Sequence, residues 1–238
     1  YTGEIVVGNS KLRALADTGS FELLVFGRWC ASCFRAARFD EKASWTFTRG
    51  NMTEDHSYGS GQCKAFDGYD KLQVGGLQAR RQAMWVASDC QMPLLRAGGF
   101  NAVFGLGPPG QPEITASRTL EALRKEQENL DASGTKAPLS LLDQIQKAER
   151  DLAAARRKPS ALENLGVKTF SECLGRKSKS PGWLIFNDAT RQGMPGVLKI
   201  PVVGKVTWGV IATDLTLSEG WNQHTLACQE GCGAIVDT

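Results

Sequence analysis

Short apolar runs rich in β-branched and aromatic residues, each cut off by glycine, proline or another turn former, recur from Tyr1 to about Gly107, and that rhythm admits few folds. Ile5-Val6-Val7, Leu23-Leu24-Val25-Phe26, Trp45-Thr46-Phe47-Thr48, Lys71-Leu72-Gln73-Val74 and Met84-Trp85-Val86 all have strand length and strand composition. The 26 glycines and 9 prolines of the 238-residue chain chop it into short pieces. An all-β lobe over residues 1–111 is the expectation. The longest apolar runs, such as Leu23 to Phe26 and Ile200 to Val203, are far too short to span a bilayer. With 42% hydrophobic residues the chain can still supply a core to each of two modest domains.

Composition changes abruptly at Pro112. From there to Pro159 aromatic residues vanish and Glu, Lys, Arg, Gln and Ala take over. Leu120 and Leu123 share one helical face, while Leu141, Ile145, Ala148, Leu152 and Ala155 follow a coiled-coil-like spacing. The polar stretch from Asp131 to Pro138 reads as a turn, so residues 112–159 are expected to be a helical hairpin. It is either an insertion folded on itself or against the lobe, the reading favoured here, or a docking element for a protein partner. Over 160–238 strands return at Gly182–Phe186, Leu198–Val203, Thr207–Ile211 and Ala234–Val236. The last runs into Asp237-Thr238 as Leu15-Ala16 runs into Asp17-Thr18. Two β lobes, each delivering Asp-Thr at a strand end, imply an internal pseudo-repeat.

A formal net charge of +3, from 28 basic and 25 acidic residues, is too balanced to build a phosphate-binding face, so nucleic acid is not an expected partner. The basic clusters Arg156-Arg157-Lys158 and Arg176-Lys177-Ser178-Lys179 read as solvated surface. Tyr1 to Gly8 already looks like a strand, and no signal or transit peptide is visible ahead of it. Seven cysteines, with close pairs at Cys30/Cys33 and Cys228/Cys232, favour an oxidising compartment. The same four could in principle form a thiolate zinc site. Only His56 and His224 are present, and neither has a partner at ligand spacing, so metal catalysis and histidine-dependent triads gain no support. His56, two residues before Tyr58, reads either as a surface histidine, the expectation, or as a group that tunes the neighbouring Tyr58 segment electrostatically.

Asp17-Thr18-Gly19-Ser20 alone is a weak signal, because three of its residues favour ordinary turns. Its surroundings carry more. Tyr1-x-Gly3-x-Ile5-x-Val7-Gly8 precedes it and Leu23-Leu24-Val25-Phe26 follows. Then come Cys30-Ala-Ser-Cys33, Phe39-Asp40 with Ser44-x-Thr46-Phe47, Tyr58-Gly59-Ser60-Gly61, Asp70-x-Leu72-x-Val74-Gly75-Gly76-Leu77 and Phe100 to Gly107. Farther on stand Phe170-Ser171-x-Cys173-Leu174, Gly182 to Phe186, Ile200-Pro201-Val202, Thr207-Trp208-Gly209-Val210 and Ala227 to Thr238. In this order, and over everything but the 112–159 insert, the chain resembles the pepsin-like aspartic proteases.

That resemblance implies a bilobal, all-β acid-protease fold and peptide-bond hydrolysis by water activated between Asp17 and Asp237. It needs no cofactor and no metal. It further implies that Thr18 and Thr238 brace the two loops, that Gly19 permits a tight turn, that Ser20 hydrogen-bonds the Asp17 carboxylate, and that Tyr58, Gly59, Ser60 and Gly61 form a mobile flap. Cys30–Cys33 and Cys228–Cys232 become local disulfides, Cys63 and Cys90 are candidates for a third, and Cys173 is left over. The substrate would be a protein or peptide, and the setting secretory, endomembrane, extracellular or another organelle lumen. The chain departs from the family at Leu24, where a tryptophan that hydrogen-bonds the flap tyrosine is usual, at Glu22 in place of asparagine, and at Asn101-Ala102 in place of Asp-Gly. It also stops before the glycine that should follow Thr238, which implies an incomplete second lobe. The alternative to an enzyme is a non-catalytic accessory or binding subunit of the same fold.

Overall fold

Four consecutive apolar side chains, Leu23 to Phe26, are all buried, which a strand achieves only when both faces of its sheet are covered. In the computed structural model, which describes residues 1–33, 38–96, 99–156, 158–177, 180–190 and 193–238, this strand is β3 (Leu23–Phe26) in a seven-stranded sheet. The other six are β1 (Thr2–Val7), β2 (Ser10–Asp17), β4 (Thr48–Tyr58), β5 (Gly61–Val74), β6 (Leu77–Gln91) and β7 (Ala102–Gly105). Their order is β1-β2-β7-β3-β6-β5-β4, and an extra β1–β5 pairing curls the sheet back on itself. Period-two alternation then splits the core. Leu23 and Val25 join Ile5, Val7, Leu72 and Phe104 on one face; Leu24 and Phe26 join Trp85, Phe100 and Val103 on the other. Each such side chain contributes about 1.5–3 kcal/mol on burial, so the central strand fixes the register of both neighbours.

Two expected strands take other forms. Trp45 to Phe47 is a turn with Trp45 89% exposed, because the Ser44 and Thr46 hydroxyls both donate to the buried Asp70 carboxylate, at 2.7 and 2.6 Å. Leu198 to Val203 forms no strand among the described residues.

Helices α1 (Gln111–Ala132) and α2 (Leu139–Ala155) pack as an antiparallel pair, with Leu120 against Leu141, Ile145 and Ala148. The apolar stripe is therefore consumed inside the hairpin, as the self-folded reading requires. A short helix α3 (Ala161–Asn164), not foreseen, closes its root. Ser160 and Glu163 form a reciprocal capping box, and Glu163 also accepts the Gly110 N–H. Ala161, Leu162 and Leu165 drop into the first core. Beyond this the strands are β8 (Phe170–Cys173) with β9 (Trp183–Phe186), β10 (Gly209–Ala212) with β13 (Cys232–Ile235), and the hairpin β11 (Leu215–Glu219) with β12 (Asn222–Ala227). Among the described residues no helix is long and apolar enough to cross a membrane.

Lys158 is not part of a solvated cluster. Its ammonium sits 2.6 Å from Asp67 Oδ2, with side-chain exposures of 18% and 5%, and Asp67 Oδ1 accepts the Met52 N–H. Arg157, Ser178 and Lys179 lie outside the described residues. Removing one partner of a buried pair strands the other charge, whereas an exposed pair loses little. Lys158→Ala is expected to cost about 3 kcal/mol in denaturant unfolding. Lys147→Ala, which breaks the open Lys147–Asp151 pair (66% and 35% exposed), should cost no more than about 0.5 kcal/mol.

Candidate active site

Asp17 is the last residue of β2, where the strand leaves the sheet beside β7. Its own backbone oxygen accepts the Leu106 N–H at 2.7 Å, and its Oδ1 accepts the Gly19 N–H at 2.9 Å. This aspartate-to-backbone bond across a tight turn orients the carboxylate. Ser20 behaves differently from the expectation: its hydroxyl is buried without a hydrogen-bond partner among the described residues, since the backbone amide already holds the near oxygen of Asp17.

Asp237 lies just past the end of β13, with only Val236 between, and the two Asp-Thr segments meet. Thr18 Oγ1 donates to the Val236 carbonyl at 3.0 Å, Thr238 Oγ1 donates to the Ala16 carbonyl at 3.3 Å, and the two hydroxyl oxygens stand 3.4 Å apart. Gly19 faces Asp237 so closely that a Cβ there would lie 2.7 Å from Oδ1, so only glycine fits without displacing the carboxylate. A tryptophan not singled out for this role ties both approaches together. Trp208 Nε1 donates to the Leu106 carbonyl at 2.8 Å, and its backbone oxygen accepts the Val236 N–H at 3.0 Å.

Asp17, Asp237 and Tyr58 line one cavity of about 440 Å³. Tyr58 and Gly61 are paired at the tip of the β4–β5 hairpin, with Gly59 and Ser60 between them and Gly61 at φ 140°, where glycine is required. Burial first, then the negative charges of Glu22 and Asp17, push the Tyr58 phenol well above its ordinary value, so it stays protonated and able to donate. The hairpin arm is clamped by Cys63–Cys90, a cross-strand disulfide between β5 and β6; Cys30–Cys33 and Cys228–Cys232 are local loops. Cys30, Cys33 and Cys90 bring their sulfurs within 4.8 Å of one another, but each is spent in a disulfide, so they offer no thiolates to a metal. Cys173 stands outside the three bridges and is exposed.

Several residues of the site were not readable as such. His56 is buried, 9% exposed, with Nδ1 2.8 Å from a Glu22 carboxylate oxygen, correcting its surface assignment. Gln111, at the start of α1, lines the cavity with Oε1 buried and without a hydrogen-bond partner among the described residues. Burial pushes the Glu172 carboxyl above its ordinary value, with Thr238 and the amino-terminal charge opposing. No spacing rule announces such residues; they meet only through the fold.

The family described as eukaryotic aspartyl protease matches residues 1–131. A pregnancy-associated glycoprotein of Equus caballus is 26% identical over the whole chain and 52% of its own length, and pepsin A of Bos taurus is 25% identical over the whole chain and 55% of its own. Vacuolar protease A of Arthroderma otae is 32% identical over 45% of the chain and 28% of its own length. The chain thus spans about half the length of the curated relatives that it matches end to end.

Outside the cavity, Glu54 on β4 turns toward α2. Burial first, then the charges of Asp151 and Glu22, raise its carboxyl above the ordinary value of 4.5, with Lys147 and His56 opposing. The folded protein therefore binds more protons than the unfolded chain between pH 4.5 and the raised value, and stability falls as pH rises through that window. Glu54→Gln should stabilise the fold at pH 7 by less than about 1 kcal/mol, because the group is half exposed, and the thermal midpoint should rise accordingly. Melting curves taken below pH 4.5 should show the difference gone.

Proposed function

The chain belongs to the eukaryotic aspartyl protease family, and from that premise we propose that it serves as an aspartic endopeptidase whose water is activated between Asp17 and Asp237. The observation that carries the reading is the cavity shared by those two side chains beneath Tyr58. Peptide hydrolysis without a metal or covalent nucleophile needs a base to take a proton from water and an acid to give one to the carbonyl oxygen. Two carboxylates about 3 Å apart cannot both ionise readily, so they share a proton and fill both roles, the known behaviour of aspartic-protease dyads. The water oxygen adds to the carbonyl carbon to give a gem-diol. Its collapse breaks the C–N bond as the departing nitrogen takes up a proton, and the dyad returns to its starting state.

On this reading residues 1–111 are the first lobe, 112–159 an insertion, and 160–238 central strands with part of a second lobe. Gly19 gives Asp237 room, Thr18 and Thr238 hold the two loops in register, and the Tyr58–Gly61 hairpin closes on an extended peptide and excludes water. Three disulfides support an oxidising setting, either a secretory or endomembrane lumen or the extracellular space.

The test is cleavage of an unfolded protein at acidic pH. Wild type should cleave it, a pepstatin-type inhibitor should suppress cleavage, and Asp17→Asn and Asp237→Asn should each lose about 10²- to 10⁴-fold in kcat/KM. Identical behaviour of wild type and Asp17→Asn would replace the enzyme with a binding or accessory subunit of the same fold.

A further inference from the structure

Glu22 lies two residues past Ser20, on the wall between two cavities. One is the cavity of Asp17 and Asp237; the other, about 580 Å³, opens between β4, α1 and α2. An acidic side chain at such a place would ordinarily be read as a subsite for a basic ligand, but both of its oxygens are committed to the protein. Oε1 accepts the indole N–H of Trp85 at 2.8 Å, and Oε2 stands 2.8 Å from Nδ1 of His56. An ionised carboxylate has only acceptors, so Nδ1 carries the hydrogen. The two partners also touch each other, ring edge to face, with centroids 4.6 Å apart.

Topology gives this trio its meaning. Trp85 on β6 is the register partner of Leu24 on β3, so the indole missing from position 24 is present one strand over, beside the place where the resemblance expects it. His56 belongs to the flap arm, two residues before Tyr58 and therefore on the same face of β4. Tyr58 itself packs on the core cluster that contains Leu24 and Trp85. A partly exposed carboxylate, 28% accessible, thus joins the β4–β5 hairpin, through the buried His56, to the rest of the sheet, through the buried Trp85. Charge-assisted bonds of this kind are the strong ones, and a buried donor left without its acceptor is costly.

We propose that Glu22 is a positioning residue that seats the flap: by holding His56 of β4 and Trp85 of β6 on one carboxylate, it fixes Tyr58 over the cavity. That Tyr58 acts there on a peptide rests on the protease reading; the tie itself does not. Its effect is directional. Without Glu22 the hairpin remains paired to β5 and clamped by Cys63–Cys90, so the loss of order is confined to the tip.

Hydrogen exchange of the flap-tip amides, residues 57–62, in the full chain separates this role from simple packing. His56→Leu fills the same space without a donor, whereas His56→Asn keeps an N–H near the Nδ1 position in a smaller side chain. The tie predicts exchange about 10- to 100-fold faster in His56→Leu and close to wild type in His56→Asn, with β2 and β7 amides unchanged in both. A packing role predicts the reverse order, and that result, or a His56→Leu flap as protected as wild type, overturns the proposal. Should His56→Leu also expose β2 and β7, Trp85→Phe decides, since it keeps a ring and deletes only the donor. Faster tip exchange in it supports the tie, and unchanged exchange rejects it. No arm requires cleavage activity, so the tie can be tested even in a chain that hydrolyses nothing, while Asp17→Asn, which tests the protease reading, should leave tip exchange unmoved.

Discussion

Two threonine hydroxyls, crossing between the end of β2 and the end of β13, are the contact on which the rest of the site depends. Thr18 reaches the carbonyl of Val236 and Thr238 reaches that of Ala16, so each loop is bound by the other's backbone rather than by its own. Around them runs a closed circuit: Leu106 N–H to Asp17, Trp208 indole to Leu106, Val236 N–H to Trp208, Thr18 back to Val236. Each bond is worth only about 1 kcal/mol net. Together they leave the Asp17 and Asp237 backbones little freedom relative to each other, and the small face of Gly19 lets the second carboxylate close in. The threonine β-branch restricts χ1, which aims the hydroxyl without further support.

The β4–β5 hairpin is governed from elsewhere. Just behind its tip Cys63–Cys90 ties it covalently to β6, and its β4 arm faces the helical hairpin across the larger cavity, with Glu54 turned toward Asp151. Glu22 is the point where these influences meet, since it lines both cavities and adds its negative charge to the environments of Tyr58 and Glu54. A substitution in the family pattern, glutamate where asparagine is usual, therefore reorganises a neighbourhood rather than deleting one contact.

Legibility in the sequence followed locality. Strands whose faces alternate or whose ends carry glycine were readable, and so was the helical hairpin, because its stripe repeats at helical spacing. Trp45 to Phe47 misled because β propensity lost to two hydroxyls that a buried aspartate, far along the chain, captures for a turn. The β11–β12 hairpin went unread although Gly220, in the left-handed region, marks its turn. For the site, a strand ending in Asp-Thr signals at both positions, yet what neighbours each carboxylate is decided by register between distant strands. Hence the bond expected of Ser20 does not form among the described residues, His56 turns inward rather than to solvent, and Trp208 is the strut between two approaches, a role its local sequence does not announce.

The central claim, that Asp17 and Asp237 act as one unit on one ligand, is tested most directly by calorimetric binding of a peptide inhibitor whose hydroxyl mimics the gem-diol, at acidic pH, to wild type, Asp17→Asn, Asp237→Asn and the double variant. A shared site predicts one inhibitor per chain and strongly non-additive losses, the double variant falling little below either single one. Losses that simply add, or binding that either replacement leaves intact, would contradict it.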